Sequence, residues 1–159
     1  MSIWRRRIWI IMPRTNDLFV DTSGWAYYLY DGDPLHLGAA TSVRNVLKRQ
    51  HRLVTTNYVI TELVALLSSR YHIPRQQVIA WINAIEANAS IEIVYIDQML
   101  HREAWRLLAT RLDKEWSLVD ASSFVIMRRF GITDALTTDH HFRQAGFRQF
   151  PEAPTYKYQ

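Results

Sequence analysis

The hydrophobic positions along the chain fall into short apolar runs that alternate with longer segments of helical periodicity. The runs lie at 18–20, 53–56, 91–95, within 132–138 and at 147–150, and each has the length of a buried strand. Parallel strands need long crossover connections, which are usually helices. The alternation therefore predicts an α/β fold with a central, mostly parallel sheet flanked by helices.

The segments between these runs repeat apolar residues every three or four positions, as helices do. A tight turn is predicted at 22–24, where Gly24 follows two small polar residues, and a helix stop is predicted at Gly131. Helices are expected over residues 25–30, 35–51, 58–71, 74–88, 97–108, 117–130 and 140–146.

The length of 159 residues suits one domain with its own core. We expect this domain to span 17–150, with an N-terminal extension over 1–16 whose order the sequence does not set and a C-terminal tail over 151–159. The apolar run after the first arginines ends at Pro13 without a small-residue cleavage site, unlike a secretory signal. Translation from Met1 and translation from Met12 both remain open. No segment approaches the ~18 apolar residues of a membrane span, so no membrane partner is expected.

The amino-acid composition limits the kinds of functional site that the chain can form. The hydrophobic fraction of 48% and the charged fraction of 21% are those of an ordinary globular protein and argue against global disorder. The chain has no cysteine, which excludes disulfides, thiolate zinc sites and cysteine nucleophiles and fits a reducing cytosol. Any metal ion must therefore be held by oxygen or by imidazole.

The net charge is +4, and its arginine-rich excess suits contact with phosphate. Four basic residues cluster at the C-terminal end of the predicted helix over 35–51. They are either a solvated face that suits the helix C-terminus or a contact surface for RNA. The four residues are Arg44, Lys48, Arg49 and Arg52.

Four carboxylates border the apolar runs. Asp21 and Asp139 each follow a predicted strand, Asp120 lies in the first turn of an apolar helix, and Glu62 lies inside another. A helix cap is the ordinary interpretation of the three aspartates, and Ser117 with Asp120 fits a capping box. Glu62 has no basic partner three or four positions away. In so apolar a helix its charge is costly unless it is paired, protonated or bound to metal.

The alternative is that these four acids form one site. In open α/β sheets, ligands bind outside the carboxyl ends of the strands, and all four acids can reach that edge. Clustered carboxylates repel one another unless a cation neutralises them, and Mg²⁺ or Mn²⁺ prefers oxygen ligands. Such an ion activates water and neutralises phosphate charge during phosphodiester cleavage. On this hypothesis Asp21, Asp120 and Asp139 bind the metal, and Glu62 orients or deprotonates the water.

Other polar residues near the acids receive smaller roles. Ser23 and Thr138 are expected to support the site by hydrogen bonding. His140 and His141 adjoin Asp139 and are interpreted as surface residues of a short helix, and Asp113 is interpreted as a solvated loop acid.

Four blocks that carry these residues resemble the signature blocks of PIN-domain ribonucleases, in the family's order and spacing. They are Phe19–Trp25, Thr55–Glu62, Trp116–Phe124 and Ala135–Phe142. The sequence is most similar to VapC-type toxins of bacterial toxin–antitoxin pairs, over about residues 18 to 150. The Arg- and Trp-rich N-terminal extension has no counterpart in the family pattern.

This resemblance implies a Rossmann-like sandwich and Mg²⁺- or Mn²⁺-dependent cleavage of RNA. It maps the family's acidic residues onto Asp21, Glu62, Asp120 and Asp139, with Ser23 and Asn57 as supporting polar positions. It also implies a cytoplasmic homodimer that is inhibited by a cognate antitoxin laid across the site.

Two other functions remain open from the sequence. One is a PIN-like module that binds RNA or protein without cutting. The other is a metal-dependent phosphoesterase of small substrates, which a deep pocket would favour. The sequence has no glycine-rich phosphate loop of the Walker or dinucleotide type, which argues against nucleotide binding by those routes.

Overall fold

Five short strands form one sheet in the order β3-β2-β1-β4-β5, and every neighbouring pair is parallel. The computed structural model describes residues 13–151. The strands are β1 (Leu18–Val20), β2 (Leu53–Thr56), β3 (Ile91–Val94), β4 (Asp134–Leu136) and β5 (Arg148–Phe150). The predicted parallel α/β fold is confirmed.

Seven helices join these strands within the described residues. They are α1 (Thr22–Leu29), α2 (His36–Lys48), α3 (Asn57–Ser69), α4 (Arg75–Ala87), α5 (Gln98–Thr110), α6 (Leu118–Phe130) and α7 (His140–Gln144). The predicted stop of α6 is confirmed, because Gly131 takes the left-handed conformation with φ 68°. No helix in residues 13–151 is long and apolar enough to cross a membrane.

Strand β1 is the centre of the sheet and of the core. All three of its residues are buried, and Leu18 lies in register with Leu53 of β2 and Asp134 of β4. Trp25, Phe19, Phe124 and Phe142 are the largest side chains that are completely buried. Because all five strands run the same way, their carboxyl ends meet at one edge of the sheet, where the chain turns into α1, α3 and α7.

The predicted turn at 22–24 is wrong, because α1 begins directly at Thr22. Gly24 lies inside this helix, where it permits a close approach to β4: a Cβ atom there would lie 2.0 Å from the Leu136 carbonyl oxygen. Glycine marks a turn in local sequence patterns, but here it permits tight packing of helix on strand, which those patterns do not show.

The first described residues are attached to the domain through Arg14. Its backbone N–H donates to the Phe130 carbonyl at 2.8 Å, and its guanidinium contacts Asp17 at 2.6 Å and Glu92 at 2.8 Å. The guanidinium also lies over the Phe130 ring, 4.7 Å from its centroid. The rest of the predicted extension, with both candidate start positions, and the tail beyond Pro151 lie outside the described residues.

Candidate active site

Asp21 follows β1 at the carboxyl edge of the sheet and is only 5% exposed. It occupies the N-cap position of α1 but makes no side-chain capping hydrogen bond. One of its carboxylate oxygens instead accepts a hydrogen bond from the Thr137 hydroxyl at 3.0 Å. The pKa of Asp21 is raised from 3.8 to about 7, mainly by burial and to a smaller extent by the negative charges of Asp120 and Glu62, and against the lowering effect of its hydrogen bonds.

Asp120 caps its helix and also lies beside another of the predicted acids. Its backbone N–H donates to the Ser117 hydroxyl at 3.0 Å, and its carboxylate accepts from the Ser117 backbone N–H at 2.8 Å, which completes a capping box at the start of α6. The residue is 6% exposed. Burial raises the pKa of Asp120, and so does the charge of Asp139. A cap and a place in the acidic cluster are therefore compatible.

Asp139 is the N-cap of α7, where its carboxylate accepts the backbone N–H of His141 at 2.9 Å. Phe142 anchors this short helix to the core. Its side chain is completely buried and packs edge-on against Phe124, with ring centroids 5.0 Å apart. The Trp116 ring N–H also donates to the Gln144 side chain at 3.1 Å. Packing thus holds Asp139 beside Asp120.

His141 is part of this cluster, so its interpretation as a surface residue is wrong. Its side chain is 17% exposed, and its Nδ1 lies 3.1 Å from an Asp120 carboxylate oxygen and 3.2 Å from one of Asp139. The interpretation holds for His140, whose side chain is 67% exposed. The sequence carried no signal that separates the two, because they are adjacent and identical.

Glu62 reaches the cluster from the exposed face of α3, while Val59, Leu63 and Leu67 form the buried face of that helix. The expectation that its charge is buried at a cost is therefore wrong. Its charge nevertheless contributes to the raised pKa of Asp21, so the two carboxylates are close enough to repel each other.

Thr137 is the supporting residue that the sequence did not identify. It is completely buried, donates its hydroxyl to Asp21, and accepts the backbone N–H of Asp139 at 3.0 Å. The Ser23 hydroxyl lies 3.2 Å from the Thr137 hydroxyl. Because the single Thr137 proton goes to Asp21, Ser23 must be the donor in that pair. The chain of hydrogen bonds therefore runs from Ser23 through Thr137 to Asp21.

The other two predicted supporting residues do not contact the acids directly. The Thr138 hydroxyl pairs with the hydroxyl of Tyr27 at 2.7 Å, and its backbone N–H donates to Ser23 at 3.2 Å. The Asn57 side chain accepts the backbone N–H of Ile96 at 2.7 Å and so joins the start of α3 to the segment after β3. Asp113 pairs with Arg111 at 2.9 Å in an exposed loop, as a solvated acid would.

The resulting site is acidic. Within residues 13–151, the cationic side chains within 4.0 Å of the four predicted acids are the histidines of α7, which are charged only when protonated. Burial and mutual repulsion together disfavour full ionisation of this group. A divalent cation would remove this penalty, and the carboxylate oxygens are the ligands that Mg²⁺ and Mn²⁺ prefer. The residues therefore fit such an ion.

The fold and the site together define an α/β protein with an acidic centre at the carboxyl ends of a parallel sheet. The sequence model of the PIN domain family matches residues 18–148, and the chain belongs to this family.

Two curated relatives and one solved structure resemble the chain over most of its length. The relatives, from Mycobacterium tuberculosis strains CDC 1551 / Oshkosh and ATCC 25618 / H37Rv, are both described as the 23S rRNA-specific endonuclease VapC20. Each is 35% identical over 130 residues, which cover 82% of this chain and 95% of the relative. The structure is M. tuberculosis VapC20, described as a sarcin–ricin-loop-cleaving toxin. It has a TM-score of 0.70 and 32% identity and covers 82% of this chain and 95% of its own. The resemblance to VapC-type PIN-domain ribonucleases is confirmed.

Proposed function

We propose that the chain is a divalent-metal-dependent endoribonuclease and the toxin of a toxin–antitoxin pair. The observation that carries this proposal is the acidic cluster at the carboxyl edge, in a chain 35% identical to a named rRNA endonuclease. An acidic cluster repels RNA unless a cation intervenes, so metal and substrate binding are expected to be linked.

Asp21, Asp120 and Asp139 are proposed to hold Mg²⁺ or Mn²⁺. When bound, the ion would supply an activated water and neutralise charge on the scissile phosphate. Thr137, with Ser23 behind it, keeps the Asp21 carboxylate aimed at the cluster. Ser117 does the same for Asp120 by a backbone hydrogen bond.

Glu62 is proposed to orient the attacking water or to accept its proton. Its exposed side chain suits this role better than a ligand role, because a group that exchanges protons with solvent must be accessible. Asn57 acts at a distance by fixing the start of α3, the helix that presents Glu62.

The substrate is proposed to be a structured ribosomal RNA, by analogy with relatives described as specific for 23S rRNA and for its sarcin–ricin loop. The test is cleavage of a synthetic sarcin–ricin stem–loop by purified protein in Mg²⁺ or Mn²⁺, with a chelator control and the Asp21→Asn and Asp120→Asn variants. We expect one metal-dependent cut that both variants lose.

Cleavage that persists in the chelator or in either variant would refute the site. A wild-type protein that binds this RNA with Mg²⁺ but never cuts it would favour a PIN-like binding module instead. Hydrolysis of small phosphodiesters without RNA cleavage would favour a phosphoesterase.

The partners are proposed on the same analogy: a cognate antitoxin that lies across the site, and a second copy of this chain, in the cytoplasm. Large apolar side chains that remain exposed support such contacts; among them are Leu37, Ile79, Tyr95, Met99, Trp105 and Leu112. Light scattering of the isolated chain should give the mass of a dimer. If a small protein is encoded next to this chain, co-expression with it should abolish RNA cleavage.

A further inference from the structure

The site contains two imidazoles that an all-carboxylate scheme does not use. Ligand atoms of Asp139, His140 and His141 all lie within 4.8 Å of one another. The centroids of the two imidazole rings are 4.3 Å apart, and the ring planes are tilted by 50°. Three donors of two chemical kinds therefore meet at the start of α7.

His141 has the more constrained position of the two. Its Nδ1 is within 3.2 Å of oxygens from both Asp120 and Asp139, and its side chain is largely buried. At this distance Nδ1 donates a hydrogen bond to the carboxylates, so a cation bound between them would displace that proton and bind the nitrogen in its place. His140, in contrast, is exposed and comes close only to Asp139, at 3.7 Å.

The donor types determine which ions such a group would favour. Mg²⁺ prefers oxygen ligands and keeps several of its waters. Imidazole nitrogen suits Zn²⁺ and Ni²⁺, and the affinity of mixed nitrogen and oxygen sites rises from Mn²⁺ through Co²⁺ and Ni²⁺ to Cu²⁺, with Zn²⁺ below Cu²⁺. One carboxylate and two imidazoles form a typical three-residue set for Zn²⁺, with further positions left for water.

We propose that Asp139, His140 and His141 form a subsite for an imidazole-binding divalent ion such as Zn²⁺ or Co²⁺, beside the carboxylates that take Mg²⁺. This inference rests on the proposed function only in that the two sites share Asp139. Because one carboxylate cannot serve both ions fully, Zn²⁺ at the subsite would compete with Mg²⁺ and inhibit RNA cleavage.

The test measures ion binding directly on tag-free protein, by calorimetry with Zn²⁺ and by the visible absorption of bound Co²⁺. The variants are His140→Ala, which changes an exposed residue, and His141→Asn, which keeps an N–H group near Nδ1 but removes the imidazole. His72→Asn is the matched control, because His72 is an exposed loop histidine with φ 51°, a conformation that asparagine also tolerates.

We expect Zn²⁺ to bind about 10-fold or more weakly in each subsite variant, with loss of the Co²⁺ absorption in the double variant. Mg²⁺ affinity should stay within about threefold of wild type in His140→Ala, whose side chain is exposed, and the control should behave as wild type. Circular dichroism verifies folding, and His140→Ala alone decides the question if His141→Asn does not fold.

Unchanged Zn²⁺ affinity in the subsite variants would overturn the proposal. Equal losses of Zn²⁺ and Mg²⁺ affinity would overturn it too, because the histidines would then act only by holding the carboxylates. Asp21→Asn separates this result from a failure of the proposed nuclease: that variant should lose Mg²⁺-dependent cleavage and keep the Zn²⁺ subsite. If wild type binds Zn²⁺ through the histidines but cuts no RNA, the nuclease proposal fails and the subsite stands.

Discussion

Asp21→Asn should stabilise the metal-free protein, although it removes a charged side chain from the centre of the site. Burial raises the pKa of Asp21 from 3.8 to about 7. The native state therefore keeps a proton that the unfolded chain loses as the pH rises above about 4. Stability falls between about pH 4 and pH 7, and the full loss, about 4 kcal/mol, is present above pH 7. Asparagine keeps an acceptor for the Thr137 hydroxyl but has no charge to bury.

The assay is thermal unfolding by circular dichroism in a chelator, at pH 4 and at pH 8. At pH 8 we expect the variant to be more stable by about 2 to 4 kcal/mol, which corresponds to a melting temperature roughly 5 to 15 °C higher. At pH 4 the two proteins should unfold within a few degrees of each other, because Asp21 is then protonated in the native state and still about half protonated in the unfolded state. Adding Mg²⁺ at pH 8 should stabilise wild type more than the variant.

Asp17→Asn is the matched control, because Asp17 lies at the other end of β1 and is also buried. Its carboxylate accepts hydrogen bonds from the Arg14 guanidinium at 2.6 Å and from the Arg52 backbone N–H at 2.9 Å. The charge of Asp17 is therefore balanced by a cation, whereas Asp21 accepts from the neutral Thr137 hydroxyl. This variant should be less stable by about 1 to 3 kcal/mol. If Asp21→Asn were also less stable than wild type at pH 8 in the chelator, the argument that the buried charge destabilises the protein would be refuted and Asp21 would be a structural residue.

Three further variants test individual contacts. Thr137→Val removes the hydroxyl that donates to Asp21, so calorimetry should show Mg²⁺ binding weaker by about 10-fold or more, whereas Thr138→Val should leave it unchanged. Glu62→Gln should change the free energy of unfolding by less than about 0.5 kcal/mol, since the side chain is exposed. The same variant should slow RNA cleavage by about 100-fold. Full activity would exclude Glu62 from the chemistry. Gly24→Ala places a Cβ atom 2.0 Å from a main-chain oxygen of β4, so urea denaturation should show a loss of about 3 kcal/mol, and unchanged stability would contradict this packing.

The pattern of apolar runs predicted the sheet and the edge at which Asp21 and Asp139 lie, because buried parallel strands leave a strong local signal. What it could not show depends on packing between distant segments. Whether Thr137 or Thr138 points inward depends on where β4 ends, and β4 ends at Leu136, so strand alternation could not be extended to them. His141 differs from His140 only because α7 packs through Phe142.

For Glu62 the sequence suggested more burial than the structure has. Its apolar neighbours suggested a helix that is buried all round, but α3 is buried on the side of Val59 and Leu63, and Val64 is 39% exposed. Hydrophobic residues on the surface are common in folded proteins, so an apolar sequence does not prove that a helix is surrounded by core. The residue's place in the cluster depends instead on the direction in which α3 leaves β2.

The three aspartates of the site differ in how the fold stabilises their charge, and this difference indicates where the ion matters most. Asp120 and Asp139 each accept a backbone N–H at the N-terminus of their own helix, an environment that favours a negative charge. Asp21 is the N-cap of α1, as Asp139 is of α7, but it makes no side-chain capping bond. Burial raises the pKa of both Asp120 and Asp21, and that of Asp21 reaches about 7, so Asp21 is partly protonated near neutral pH. Because Mg²⁺ binds the ionised carboxylate, it must displace the proton of Asp21, and this competition weakens as the pH rises. It follows that Mg²⁺ affinity should rise between about pH 6 and pH 8 in wild type, and that Asp21→Asn should remove most of this pH dependence in calorimetric titrations. An unchanged pH dependence in the variant would mean that a different group loses the proton when the ion binds.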